Sequence, residues 1–177
     1  MNPVQREAHI DRPKGEVVAY LSDIANWPEF TDHFLRHWHL TREDSYGQGA
    51  GARFRIHRRL DRFGWADLTF AEVTSRGRIL ARGRSGKYNR TRWIVLVEID
   101  DAHGGTRVRL SVETHPVLPT DRVMEALTLT TAFHRRRWSK AMGRLRAILE
   151  DGEERGTPAT ISGGARKPAT GSPIRAA

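Results

Sequence analysis

One amphipathic segment near the end of the 177-residue chain constrains the fold more than any other feature. Between residues 120 and 149, mainly apolar side chains recur at steps of three and four residues, which places them on one face of an α-helix. Most arginines of this segment fall on the opposite face. A helix with such a stripe needs an apolar partner. The stripe contains Val123, Leu127, Thr130, His134, Trp138, Ala141, Met142, Leu145, Ile148 and Leu149.

The chain before this helix has a period of two, which is typical of β-strands with one buried face. Glycine-rich or polar turns separate several of these segments and favour antiparallel pairing of neighbours. Two short helices are predicted after the first strand, because Pro13 suits a first helical turn and Ser22 and Asp23 are capping residues. The predicted strands are Val4–Ile10, Phe34–Thr41, Arg53–Leu60, Trp65–Val73, Ile79–Arg84, Arg92–Ile99 and Thr106–Thr114.

One long helix against one antiparallel sheet is an α+β arrangement, in which the sheet must curve to bury its apolar face. The length suits a single domain, which we place at residues 1–150. From Asp151 onward the chain is rich in small and polar residues, and Ile161 and Ile174 are its only large aliphatic side chains. Such a segment cannot offset its ordering entropy by burial, so residues 151–177 are predicted to form a disordered polar tail.

The formal net charge of +9 raises the question of a nucleic-acid partner. The 26 arginines greatly outnumber the 4 lysines and are spread over all predicted elements, with no run longer than Arg135–Arg137. Acidic residues are interleaved with them, which indicates a solvated surface. We therefore expect no nucleic-acid partner.

Other classes of protein are excluded by what the sequence lacks. Without cysteine the chain has no disulfide, no thiolate zinc site and no cysteine nucleophile. The first residues lack the apolar core of a signal peptide, and no apolar run reaches the length of about 18 residues that spans a membrane. We expect a cytoplasmic protein that does not span a membrane.

The first 30 residues contain two short motifs, Ile10–Pro13 and Asn26–Phe30. Together with Phe63–Trp65 and the long last helix, they resemble the START-like, or SRPBCC, superfamily, in the branch named after polyketide cyclases and dehydrases. The resemblance covers residues 4–149. It implies a helix-grip (START/Bet v 1-like) fold, in which a curved antiparallel sheet of about seven strands wraps around the C-terminal helix, with two short helices after strand 1. It also implies a deep, mainly apolar cavity between sheet and helix.

If the apolar side of each strand faces the helix, aromatic and aliphatic side chains would surround a few polar groups, as in a site for a flat or hydrophobic molecule. Thr130 and His134 interrupt the helix stripe and Ala141 adds little volume, so the helix would leave space above the sheet. The alternative is an ordinary core in which the polar groups find backbone partners. The expected lining residues are Trp38, Phe54, Ile56, Leu68, Phe70, Trp93, Val108, Leu110, Thr130, His134 and Trp138.

The superfamily includes lipid carriers, hormone receptors and aromatase/cyclases, and a fold does not decide among them. Our first hypothesis is binding of a hydrophobic small molecule of the lipid, isoprenoid or aromatic polyketide type. A second is a polyketide aromatase/cyclase or dehydratase, in which His134, Arg58 or Glu72 acts as a general acid or base. A third is an interaction module whose basic surface docks an acidic partner. The sequence leaves open whether the chain is an enzyme and which oligomer it forms.

His37 and His39 lie two apart on one predicted strand face, a spacing that lets two imidazoles reach one metal ion. A catalytic zinc site needs a third protein ligand, and the sequence supplies no recognisable one. We therefore expect neither a metal nor a cofactor.

Overall fold

The computed structural model describes residues 3–57, 64–119, 130–152, 155–161 and 164–165. In these ranges the helices are α1 (Lys14–Leu21), α2 (Trp27–Thr31) and α3 (Thr130–Asp151), and single 3-10 turns lie at Ile24–Asn26 and Lys87–Asn89. The long strands are β1 (Val4–Ile10), β2 (Leu35–Leu40), β3 (Gly51–Ile56), β4 (Trp65–Val73), β5 (Arg78–Ser85), β6 (Thr91–Ala102) and β7 (Gly105–Pro116). Two strands of two residues follow, β8 (Thr160–Ile161) and β9 (Gly164–Ala165).

All nine strands belong to one sheet, in the order β1-β7-β6-β5-β4-β3-β2-β8-β9. Consecutive strands from β2 to β7 pair antiparallel, and β1 pairs antiparallel with β7. Bulges interrupt the register of β2 against β3 and of β4 against β5. Since a bulge bends the strand that carries it, both add curvature to the sheet. The α+β prediction and its seven long strands are confirmed, and β8 and β9 are additions.

The core lies between the sheet and α3. In β6, Trp93, Val95, Val97 and Ile99 are buried while the residues between them are more exposed, which is the alternation that a period of two predicts. The described part of the helical stripe is also buried, which confirms the helix-grip packing. Its members are His134, Trp138, Ala141, Met142, Leu145, Ile148 and Leu149. Residues 120–129 of the predicted helix, with Val123 and Leu127, lie outside the described residues.

Residues 155–161, here named the C-terminal strap, follow α3 and run along α2 to the edge of β2. The backbone N–H of Gly156 donates to the Glu29 carbonyl (3.0 Å), and the Thr160 hydroxyl donates to the Trp38 carbonyl (3.0 Å). A Cβ atom on residue 156 would overlap the carboxylate of Asp32, so this close approach requires glycine. The sequence analysis predicted no contacts for this segment. The domain boundary at residue 150 stays a prediction.

No helix among the described residues is long and apolar enough to cross a membrane.

The junction of α2 and α3 contains a half-buried histidine. The Nε2–H of His33 donates to the Arg137 carbonyl (3.2 Å), which leaves Nδ1 facing the Arg144 guanidinium at 3.4 Å. Burial is the largest cause that lowers the pKa of His33, to about 4; the hydrogen bond to Arg137 opposes the shift and the charge of Arg144 adds to it. His33 is therefore neutral in the folded protein at pH 7.

This pKa predicts a loss of stability in mild acid. Between pH 6.5 and 4 the unfolded chain protonates His33 and the folded chain does not, so stability falls as the pH falls through this window. Because the side chain is only half-buried, we expect an effect of about 1 kcal/mol, or 2–4 °C in Tm, between pH 7 and 5. In thermal melts, the Tm of His33→Asn should fall less between pH 7 and 5 than the Tm of wild type. The exposed His103→Asn is the control, and parallel curves for wild type and His33→Asn would contradict the assignment.

Candidate functional site

The space between the sheet and α3 gathers the predicted lining residues. Every one of them whose side chain is described lies in a single buried cluster or is buried beside it, with exposed fractions of 6% or less. The side chain of Thr130 lies outside the described residues. The buried members are Trp38, Phe54, Ile56, Leu68, Phe70, Trp93, Val108, Leu110, His134 and Trp138.

The C-terminal half of α3 packs tightly against the sheet. Around Trp138, Met142 and Leu145 the residual void is about 10 Å³, which is room for about one water molecule. This half of the interior is ordinary core. The void is closed by Leu21, Trp27 and Phe30 from the helical side and by Val97, Val108 and Leu110 from the sheet.

The N-terminal half of α3 faces a more polar part of the interior. The Trp93 indole N–H donates to the Ser85 hydroxyl (2.6 Å), and its ring forms a T-shaped pair with the His134 ring at a centroid distance of 5.3 Å. Thr114 is the cross-strand partner of Trp93, so both side chains project from the same face of the sheet. Ser85, Thr114 and His134 are buried, with exposed fractions of 6%, 2% and 2%. We name Ser85, Trp93, Thr114 and His134 the polar end of the interior.

Trp138 follows His134 by one helical turn on the same face of α3. Trp138 is 1% exposed, and its ring forms a T-shaped pair with the Phe34 ring at a centroid distance of 5.1 Å. The indole Nε1–H is buried and has no hydrogen-bond partner in the described part of the chain. A buried donor without an acceptor costs about 1–3 kcal/mol, so a position like this needs a physical reason.

The three candidate acid–base residues are not brought together. His134 lies in the interior, and Arg58 lies outside the described residues. Glu72 shares its sequence parity with Leu68 and Phe70, but the bulge between Phe70 and Glu72 inserts an extra residue. The Glu72 side chain is 41% exposed, and its carboxylate pairs with Arg78 at 3.5 Å.

Sequence reasoning missed Ser85 and Thr114. Thr114 continues the inward parity of Val108, Leu110 and Val112, and Ser85 continues that of Ile79 and Ala81, so the period itself contained the signal. Both lie at strand ends beside turns, where polar residues are normally assigned to solvent.

The paired histidines of β2 do not converge. The His39 Nδ1 atom lies 3.2 Å from the Thr160 hydroxyl, whereas the His37 ring lies beside Trp65 with a centroid distance of 6.5 Å.

The sequence model of the family described as polyketide cyclase / dehydrase and lipid transport matches residues 1–167. The chain belongs to this family. Membership supports a ligand-binding or cyclase role, because the family's description covers both. No curated protein is significantly similar in sequence.

Solved structures show the same fold as this family member. The KanY protein is 14% identical with a TM-score of 0.64, covering 81% of this chain and 94% of its own. DR_A0006 from Deinococcus radiodurans is 19% identical with a TM-score of 0.55, covering 86% and 100%. DynU16, described as a protein of the dynemicin biosynthetic locus, is 17% identical with a TM-score of 0.56, covering 91% of this chain and 51% of its own.

Proposed function

We propose that this chain binds a hydrophobic small molecule where the polar end of the interior meets Trp138, which also borders the packed half, with an oxygen of the ligand accepting a hydrogen bond from the Trp138 Nε1–H. The observation that carries the proposal is the buried indole donor of Trp138, which has no acceptor in the described part of the chain. A ligand carbonyl or hydroxyl oxygen would supply one.

The surroundings favour an aromatic or otherwise flat ligand. The rings of Trp93 and Phe133 flank His134 at centroid distances of 5.3 and 5.4 Å, and aromatic faces and edges suit a planar guest. Hydroxyl groups are provided by Ser85 and Thr114. Such a mixture of apolar walls and few polar groups is the usual composition of a small-molecule site. An aromatic polyketide with an oxygen atom meets this whole description, whereas lipid and isoprenoid ligands with an oxygen atom match only its apolar walls and polar groups.

The cyclase or dehydratase hypothesis uses the same site. It is favoured by the burial of His134 beside Trp93, where an imidazole could remove a proton next to a bound carbonyl group. Binding is common to both hypotheses and is therefore tested first.

The test uses two neutral probes that differ mainly in an acceptor oxygen, 2-acetonaphthone and 2-ethylnaphthalene. We expect wild type to bind the ketone about 3–10 times more tightly, since one hydrogen bond contributes about 0.5–1.5 kcal/mol. In Trp138→Phe, which keeps an aromatic ring and removes the donor, this preference should disappear. Calorimetric titration measures the dissociation constants, and NMR should show the Trp93 and Trp138 indole N–H signals shifting with the ketone.

Trp65→Phe is the control, because Trp65, the first residue of β4, is 45% exposed and lies on the strand face opposite the buried Ala66, Leu68 and Phe70. It should keep the wild-type preference for the ketone. No binding of either probe, or a preference that survives in Trp138→Phe, would contradict the proposal.

A further inference from the structure

A second cavity lies outside the interior, where the end of α2, the strand β2 and the C-terminal strap meet. Its volume is about 560 Å³, within the range of about 300–1,000 Å³ of small-molecule sites. We name it the strap cleft. It is lined by Asp32, His33, Leu35, Arg36, His37, Trp38, Thr157, Pro158 and Thr160.

The bulge in β2 is what lets two neighbouring polar side chains line this cleft. Arg36 pairs with Arg55 and His39 with Arg53, so β2 has one residue more than β3 in this interval. His37 takes a left-handed backbone conformation (φ 57°), which is unfavourable for a residue with a side chain. Arg36 and His37 are thus both exposed, although neighbours in a regular strand point to opposite faces. Retained backbone strain of this kind concentrates at functional sites.

The acidic group of the cleft is already neutralised by protein partners. The Asp32 carboxylate accepts hydrogen bonds from the Arg144 guanidinium and from the Thr157 backbone N–H (2.9 Å). His33 is uncharged at pH 7, as described above. Asp32 therefore leaves no negative charge to balance Arg36, which forms no ion pair with the part of the chain that the structure describes.

The surface beside the cleft is also positively charged. Arg36 is the largest cause that lowers the pKa of the exposed His57, and burial, Arg137 and Arg55 add to the shift. Three guanidinium groups around one imidazole create a positive potential that attracts anions. Arginine is also the residue best suited to bidentate contact with a carboxylate or phosphate.

The remaining lining suits the organic part of a ligand. The exposed Pro158 provides apolar surface, the largely buried Leu35 and Trp38 form the wall behind it, and the exposed Trp65 ring stands beside His37. We propose that the strap cleft binds a small organic anion, with its phosphate or carboxylate group on Arg36 and His37. This site is separate from the interior, so either proposal can fail while the other holds.

Titration with phenyl phosphate and with benzoate, followed by backbone NMR, tests this inference. We expect at least one probe to shift the signals of Arg36, His37, Thr157 and Thr160 while the indole signals of Trp93 and Trp138 stay in place. Arg36→Gln should raise the dissociation constant of the bound probe about tenfold or more, because charge-assisted hydrogen bonds are among the strongest in proteins. Raising the sodium chloride concentration from 50 to 500 mM should also weaken binding.

Two further variants keep the test interpretable. Arg82→Gln removes the same charge from an exposed position in β5 and should leave the affinity unchanged. His37→Gly removes the imidazole but tolerates the left-handed backbone, so it should fold and bind more weakly than wild type. Comparison of the dissociation constants of phenyl phosphate and benzoate shows whether the cleft prefers a phosphate or a carboxylate group.

The proposal is overturned if neither probe shifts the cleft signals, or if Arg36→Gln and Arg82→Gln bind alike. Inorganic phosphate that binds as tightly as phenyl phosphate would also overturn it, because the organic part would then contribute nothing.

Discussion

Replacement of Arg144 by leucine is expected to lower the free energy of unfolding by about 2–4 kcal/mol. The Arg144 guanidinium donates to the Asp32 carboxylate and to the Glu29 carbonyl (2.9 Å), and thereby joins α3 to α2. Both charged side chains are largely buried, with exposed fractions of 25% for Arg144 and 22% for Asp32. Leucine keeps much of the volume but leaves the carboxylate without its cation, and this lost compensation causes the large effect.

Urea unfolding measures this loss, and Arg146→Leu is the matched control on the same helix. Arg146 is exposed and pairs with Glu150 four residues later, so its replacement should change stability little. Asp32→Asn combined with Arg144→Leu should cost less than the two single costs added together, because the double variant buries no unpaired charge. Equal losses for Arg144→Leu and Arg146→Leu would show that the junction does not depend on this ion pair.

The pH dependence of the pair has a defined sign. Burial raises the pKa of Asp32, but hydrogen bonds from Arg144 and from the Thr157 N–H outweigh it and lower the pKa below its ordinary value. The stability that the pair contributes is therefore complete above about pH 4 and is lost only as the pH falls through the lowered pKa. This window lies below that of His33, so the two groups are separable by titration.

Trp27→Ala should lower the free energy of unfolding by about 3–5 kcal/mol, the usual cost of removing a buried tryptophan. Trp27 is 1% exposed, and its ring packs on Phe70 at 5.5 Å and on Phe30 at 6.0 Å. Its indole N–H donates to the Leu21 carbonyl (3.0 Å), which would lose its partner. The Trp27 side chain thus holds the short helices against the sheet. Its removal leaves a cavity and an unpaired carbonyl at Leu21.

Trp65→Ala removes the same side chain from a position that is 45% exposed. Surface substitutions of this kind usually cost less than about 1 kcal/mol, so the two variants should differ severalfold in denaturant unfolding. Similar losses would mean that the short helices are not held by Trp27.

Much of the fold was predictable because its signals are local. The strand β6 alternates in sequence and in burial, and the stripe from Trp138 to Leu149 is buried as its spacing requires. The burial of the residues at the candidate site was predictable to the same degree. Trp93, His134 and Trp138 were assigned to the interior from their parity, whereas Ser85 and Thr114 were not, because they stand near strand ends.

The sequence by itself determined the order of the elements and the face that each one buries, since periods of 2 and 3.6 residues are properties of a single segment. Only the tertiary structure decided where the register between neighbouring strands shifts. The bulge after Phe70 turned Glu72 to solvent, and the bulge after Arg36 placed Arg36 and His37 together at the strap cleft. The contacts of the C-terminal strap with Glu29 and Asp32 were decided in the same way. Register and docking depend on pairs of segments far apart in the chain, so no pattern within one segment can specify them.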